Sequence, residues 1–240
     1  MRTPLLLTLS AALMVLPGMP AGAGDLLPRL GDDIGEFFTA GTLPVIGVGA
    51  AATAAALLLE DPCGNPGFLG PGAAHDLSDL CHHTMGLPLL GASVLVWGTG
   101  ALDGSEGTEV TGQMLTEGLL LTYGAAGILK LGSARTRPDG SDRMSFPSAH
   151  AAGTACTAVI LWDRCGAGAG IPMAAVAAFT ALSRVHLHHH YPSDVIAGAA
   201  IGISIGLAVT RTHDDGAGSS TVHPSPGLMW SSRDGFGVYF

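Results

Sequence analysis

Six apolar runs, at about residues 39–59, 84–102, 109–131, 148–162, 168–183 and 193–210, restrict this chain more than any other feature. Each is long for a strand and suits a helix. The connections between them carry helix breakers: EDPCGNPGFLGPG, DGSEG, RTRPDGSDR, RCGAGAG and HLHHHYPS. The pattern predicts an all-α fold with six core helices in an up-and-down bundle. The runs are built from Ala and Gly with Leu, Ile and Val, and aromatic residues are only 5% of the 240. That disfavours a β-sandwich, which draws on β-branched and aromatic residues. It favours closely packed helices, in a globule or in a bilayer.

The two ends differ from this body. Residues 1–23 read as an export signal: Arg2 is followed by an apolar core, then by Pro17-Gly18 and the small-x-small triplet Ala21-Gly22-Ala23. Residues 24–38 form a polar lead-in with amphipathic character. The helical domain is expected over 39–212. In the tail, 213–240, GLMWSSRDGFGVYF has apolar residues on both sides of an Asp-Gly turn and predicts a short β-hairpin.

The charges narrow the partners. A net charge of −9 excludes general nucleic-acid binding, which needs a basic footprint. Yet four of the ten Lys and Arg residues, Lys130, Arg135, Arg137 and Arg143, fall within one connection. An acidic chain that gathers cations in one place offers an anion site there. The four Cys fit an oxidising compartment, with Cys63–Cys81 the preferred disulfide and Cys156–Cys165 the other close pair.

Three segments carry the concentrated chemistry: KLGSARTRP (130–138), FPSAH (146–150) and SRVHLHHHYPSD (183–194). In an up-and-down bundle the third-to-fourth and fifth-to-sixth connections share one end, so the three segments meet. Lys130, Arg137 and Arg184 supply fixed positive charge, and arginine donates two parallel bonds to phosphate. Ser148 and His150 open the fourth helix, whose free N–H groups favour an anion. His190 precedes Pro192, a good first helical residue, and Asp194 lies four residues on, within reach of the ring. These parts suit phosphoryl transfer through a histidine. The imidazole attacks phosphorus, the carboxylate fixes its tautomer, and a second histidine serves the leaving oxygen. Cations and N–H groups stabilise the phosphoryl oxygens. The scheme requires no metal and no cofactor.

The same residues resemble the signature of the type 2 phosphatidic acid phosphatase family, related in fold to bacterial acid phosphatases and vanadium haloperoxidases. The family pattern is K-x6-R-P, P-S-G-H and S-R-x5-H-x3-D. Here it reads Lys130…Arg137-Pro138, Pro147-Ser148-Ala149-His150 and Ser183-Arg184…His190…Asp194. The resemblance implies a six-helix core and a phosphohistidine intermediate. It implies His190 as nucleophile, Asp194 as its orienting carboxylate and His150 as general acid. Lys130, Arg137, Ser148, Ala149 and Arg184 are implied as the phosphate-binding positions. Ala149 departs from the family glycine, and its Cβ narrows the local backbone choice.

The remaining polar residues have plainer readings. His186, His188 and His189 are expected at the rim or in solvent, His82 and His83 in a loop near the entrance, and Arg135 and Arg143 solvating their connection. Ser145 is expected as a turn residue. A metal site in HLHHH is disfavoured because these spacings do not share a helix face. The expected activity is hydrolysis of a phosphomonoester or diphosphate, on a small molecule or a lipid phosphate. A vanadate-dependent haloperoxidase and a histidine-cluster metal binder are the alternatives. After a cleaved signal, six spans would put the site in the cytoplasm, so an exported periplasmic protein touching the membrane surface is expected, with an integral inner-membrane protein as the alternative.

Overall fold

In the computed structural model of the chain, residues 26–39, 41–60, 72–216, 227–231 and 235–239 are described. The expected signal, residues 1–23, lies outside them. Among the described residues eight helices follow one another: α1 (Leu26–Phe37), α2 (Leu43–Leu59), α3 (Ala73–Thr84), α4 (Leu87–Asp103), α5 (Glu106–Ser133), α6 (Ala149–Cys165), α7 (Ala167–His186) and α8 (Pro192–Gly216). The body is all-α. Six of the helices fall on the six apolar runs. The other two, α1 and α3, come from the lead-in and from the first connection. The expectation of His82 and His83 in a loop is thereby corrected, since both sit in the last turn of α3.

Local chemistry sets the helix ends. Pro44 and Pro88 open α2 and α4, where a missing N–H removes nothing from the helix. Gly104, at φ 69°, ends α4 in the left-handed conformation that glycine adopts without strain. Glu106 and Glu109 lie in the first turn of α5, against the positive end of its dipole. Pro192 starts α8 and Asp194 follows in the same turn.

Helices α6 and α8 are the centre of the body. A Cβ at Gly198 would strike the carbonyl of Ser148, and one at Gly202 the carbonyl of Ala152. These glycines let α8 lie on α6 almost backbone to backbone. Met114, Leu115, Cys156, Ile160, Ile205 and Val209 fill the core where α5 joins the pair. At the end of α8 remote from Pro192, the Oε2 of Glu117, which interrupts the third apolar run, accepts from His213 Nε2 at 2.6 Å, and Gln113 donates to its other oxygen at 3.0 Å. The charge in that run is therefore buried and paired.

Of the two expected cysteine pairs, Cys63–Cys81 includes a residue outside the described ones and Cys156–Cys165 does not form. Cys81, Cys156 and Cys165 are free thiols, and Cys63 lies outside the described residues. Cys156 and Cys165 stand in one helix nine residues apart, roughly 13 Å along its axis, too far for a disulfide.

Helix α7 and the Pro192–Asp214 part of α8 are long and apolar enough to cross a membrane, and the α3–α4 pair, bent by 59°, would make a third. Large apolar side chains face outward, among them Leu58, Leu59, Leu95, Leu102 and Ile128. These features point to a membrane protein, the alternative left open by the sequence, and away from a wholly soluble bundle.

Candidate active site

The three segments meet at one end of the body, held there by backbone bonds. Ser148 N–H, at the start of α6, donates to the carbonyl of Asp194 in the first turn of α8 at 2.9 Å. The connection after α5 is pinned to the α7–α8 turn: Asp139 N–H donates to His188 O at 3.1 Å and Arg137 Nη1 to His189 O at 3.3 Å. His188 adopts a left-handed φ of 57°. The chain reverses there, and the N–H groups of His189 and His190 both turn back to Arg184 O, at 3.1 and 3.2 Å. The turn returns the chain directly from Arg184 to His190.

His190 is 3% exposed and Asp194 fully buried. The Nδ1 of His190 lies 3.7 Å from Oδ2 of Asp194, beyond a hydrogen bond. That carboxylate is otherwise fully engaged. Oδ2 accepts from Ser145 Oγ at 2.5 Å and from Tyr191 N–H at 2.9 Å. Oδ1 accepts from Arg135 Nη1 at 2.7 Å. Arg135 therefore does not solvate its connection, and Ser145 is more than a turn residue. Arg135 also pairs with Glu60 and lies over the Tyr191 ring, 4.1 Å from its centroid. Among the described residues, His190 Nδ1 and Ser148 Oγ at this end are buried with no hydrogen-bond partner.

The opposite wall comes from α3. His150 Nε2 donates to the backbone carbonyl of His82 at 3.0 Å. Arg184 Nη1 donates to His82 Nδ1 at 2.6 Å and Nη2 to Ser78 O at 3.1 Å. The His82 ring stacks on His150, with centroids 5.7 Å apart, and on His189, 4.9 Å apart. Lys130 Nζ donates to Met144 O at 2.5 Å. His186, expected in solvent, is instead buried and bonds His75 of α3 at 3.3 Å.

Burial and cations set the electrostatics. Desolvation is the main reason that His190 is lowered from 6.5 to about 4; Lys130 and Arg137 press the same way and Asp194 opposes. His150 is lowered to about 4, first by burial and then by Arg184. Both rings are neutral near pH 7, as a nucleophile must be. Lys130 is lowered to about 8, by burial and by Arg137. It keeps its charge at neutral pH. Facing it, Asp142 is held low by Arg137 and Met144 N–H against its own desolvation.

All eight residues singled out from the motifs, Lys130, Arg137, Ser148, Ala149, His150, Arg184, His190 and Asp194, lie at this end of the body, Ala149 as the first residue of α6. Among the residues not singled out as site residues, His82 bonds Arg184, Arg135 and Ser145 bond Asp194, and Glu60 joins the group through Arg135 and Ser193. Arg135 lies inside the first motif segment and Ser145 directly precedes the second. Nothing in the spacing marked Glu60 or His82, which sit at the ends of α2 and α3. Among the described residues no group of three or more His, Cys, Asp or Glu is arranged to hold a metal ion.

Comparison with known proteins shows what the chain is similar to. Residues 114–216 match the model of the PAP2 superfamily. A decaprenylphosphoryl-5-phosphoribose phosphatase of Mycobacterium tuberculosis (strain ATCC 25618 / H37Rv) is 35% identical over 102 residues, which are 38% of this chain and 55% of that protein. A lipid A 1-phosphatase of Porphyromonas gingivalis is 35% identical over 101 residues, 40% of this chain and 23% of that protein. The chain thus spans about half the length of the first relative and about a quarter of the second. Among solved structures, a transmembrane PAP2 type phosphatidylglycerolphosphate phosphatase from Bacillus subtilis has the same fold. Its TM-score is 0.50 at 21% identity, over 82% of this chain and 98% of that one.

Proposed function

We propose that this chain, which carries a PAP2 superfamily domain over residues 114–216, is a metal-independent phosphatase acting through a phosphohistidine. The observation that carries the reading is the pair of buried, unpartnered atoms, His190 Nδ1 and Ser148 Oγ, at an end of the body where Lys130 and Arg137 act on His190 and Arg184 on His150. Buried polar atoms without partners are unfavourable unless something completes them. A phosphoryl group against Ser148 supplies that partner, and closure of the 3.7 Å gap to Asp194 supplies the one for His190.

In the first step the Nε2 lone pair of neutral His190 attacks phosphorus. The bond from phosphorus to the leaving oxygen breaks, and protonated His150 gives that oxygen its proton. Asp194 stabilises the positive charge that develops on the His190 ring. In the second step His150 takes a proton from water, the oxygen attacks phosphorus, the P–N bond breaks, and inorganic phosphate leaves. Lys130, Arg137 and Arg184, with Ser148 and the Ala149 N–H at the opening of α6, bind the phosphoryl oxygens throughout.

The substrate we propose is a lipid phosphate or diphosphate. A groove of about 510 Å³ runs along α6, α7 and α8, lined by Ala151, Ala155, Trp162, Ala178, Ala181 and Ile203. It begins one residue beyond His150 and three short of Arg184, a position suited to a hydrocarbon chain whose headgroup reaches the cations. The apolar helices and the relatives named for lipid-linked phosphates support this reading. The proposal includes a core of α2 and α4–α8, and a tail whose strands Gly227–Ser231 and Gly235–Tyr239 pair antiparallel. It also includes an exported leader over 1–23 and a site facing the periplasm.

The test is release of inorganic phosphate in EDTA from p-nitrophenyl phosphate and from a short-chain phosphatidic acid, with His190→Ala alongside. Activity on the lipid that is lost in the variant is expected. Activity retained in His190→Ala, or abolished by EDTA in the wild type, overturns the mechanism.

A further inference from the structure

We infer that Glu60, acting through Arg135, positions Asp194 and keeps the charge around His190 matched to a cationic ring. The inference rests on His190 being the phosphoryl acceptor, as proposed above. Glu60 ends α2, far outside the residues matched to the superfamily. The helix is fixed on α8, where Gly49 meets Ala200. From there the Glu60 carboxylate takes two partners at the start of α8. One oxygen pairs with Arg135, and the other accepts from Ser193 Oγ at 2.6 Å and from Ser193 N–H at 3.3 Å. Arg135 Nη1 then reaches both Ser193 Oγ and Asp194 Oδ1, at 2.7 Å each. The result is a closed ring of Glu60, Arg135, Asp194 and Ser193.

The charges in this ring decide what it does. Arg135 alone on Asp194 would neutralise the carboxylate that His190 needs when its ring becomes positive. Glu60 offsets Arg135. The two carboxylates and one guanidinium sum to −1 while His190 is neutral and to zero, with the ring included, once it is cationic. The other charged groups facing His190 are Lys130 from α5 and Arg137 from the connection, both cations, with His150 from α6 neutral near pH 7. With Glu60 the three cations, Arg135, Lys130 and Arg137, exceed the carboxylates by one, and without it by two. The geometry is also fixed. Asp194 Oδ1 is held by Arg135, so Oδ2 is the oxygen left to face the ring, with Ser145 and Tyr191 N–H beside it. Glu60 and Arg135 are therefore positioning residues and touch no reacting atom.

The experiment uses the full chain in detergent, with p-nitrophenyl phosphate and short-chain phosphatidic acid, and follows kcat and kcat/KM from about pH 3.5 to 8. The wild type and His190→Ala are run first; activity independent of His190 would sink the phosphohistidine reading itself. Given His190-dependent activity, Glu60→Gln should lower kcat roughly ten-fold with KM nearly unchanged, because no phosphate ligand is touched. Arg135→Gln leaves two carboxylates uncompensated and should raise the acid limb of kcat/KM by about half a pH unit or more. The double variant Glu60→Gln/Arg135→Gln returns the ring to a single negative charge and should bring the limb back. Wild-type kcat and an unmoved limb in folded single variants overturn the inference, even if both melt at lower temperature. Should Arg135→Gln fail to fold, Arg135→Lys replaces it. That variant keeps the charge, so its limb should stay in place while kcat falls. A limb shifted in Arg135→Lys as well, or an unchanged kcat in Glu60→Gln, counts against the inference.

Discussion

His150 Nε2 donates its proton to the backbone carbonyl of His82, 3.0 Å away, while the His82 ring takes a bond from Arg184 at 2.6 Å. Two groups assigned to the substrate are thus engaged by one residue of α3. His82→Ala removes the ring and leaves the carbonyl. Arg184 is then freer to bond a phosphoryl group. Inhibition by inorganic phosphate or vanadate should tighten roughly two- to five-fold, the scale of one released hydrogen bond, with kcat within a few-fold of wild type. Weaker inhibition in a steady-state assay would mean that His82 holds Arg184 in place.

Asp194 separates charge from shape. Asp194→Asn preserves volume but loses the negative charge opposite His190 Nδ1, and it disturbs the acceptor that Ser145 and Tyr191 N–H share. The kcat should fall by about 10³- to 10⁴-fold, the range seen when an orienting carboxylate is neutralised. Trapping with radiolabelled substrate should show less phosphohistidine in the same proportion, and none in His190→Ala.

The pH profile follows from two neutral histidines. The proposed mechanism needs His190 neutral and His150 protonated, and both titrate near about 4 in the free protein. Activity as kcat/KM should therefore peak on the acid side of neutrality and decline towards pH 7 as His150 loses its proton. A further loss is expected above about pH 8, where Lys130 deprotonates and phosphate binding weakens, read as a rising KM.

Stability should move the opposite way. Between pH 6.5 and about 4 the unfolded chain takes up protons on these two histidines and the folded chain does not, so stability falls as pH falls through that window. At pH 5 the loss is on the order of 2 kcal/mol per histidine. A thermal melt in detergent should show a lower Tm at pH 5 than at pH 7. His150→Gln, which cannot take the proton, should flatten part of the difference.

Gly202→Ala tests the contact between α6 and α8. The added Cβ meets the Ala152 carbonyl, a backbone atom that cannot swing aside. The expected destabilisation is about 1–3 kcal/mol, with activity lost ahead of folding because the two helix starts separate. A wild-type Tm with full activity would show the interface to be looser than described.

The site was legible where chemistry is written in spacing. Lys130 to Arg137, Ser148 to His150 and Arg184 to Asp194 are short-range patterns, and the alternation of helix directions brings them together. Their apolar flanks likewise predicted α2 and α4–α8 as helices. What escaped was set by long-range packing. Glu60 opens a polar connection that has no motif, and only the seating of α2 on α8 carries it to Arg135. His82 lies in a connection rich in Gly and Pro, where the amphipathic stretch of α3 is short. Arg135 looked like one more cation in a basic segment, because its partner Asp194 is 59 residues away. The Cys156–Cys165 pairing failed for a related reason: even number and close spacing say nothing about two residues sharing one helix.

Because Ser148 N–H is bonded to the Asp194 carbonyl and Gly198 has no side chain to hold them apart, the openings of α6 and α8 form one mechanical part. His150 and His190, the proposed proton donor and nucleophile, ride on it together. Their spacing is a property of the main chain, so side-chain drift elsewhere barely reaches it. The wall facing them, α3 with His82, is a separate element, joined to them through His150, Arg184 and His186. In such a layout the reaction is inherited and the choice of leaving group is adjustable. Diversification of chains built this way should collect in α3 and along the apolar groove, leaving the joint between Ser148 and Asp194 untouched.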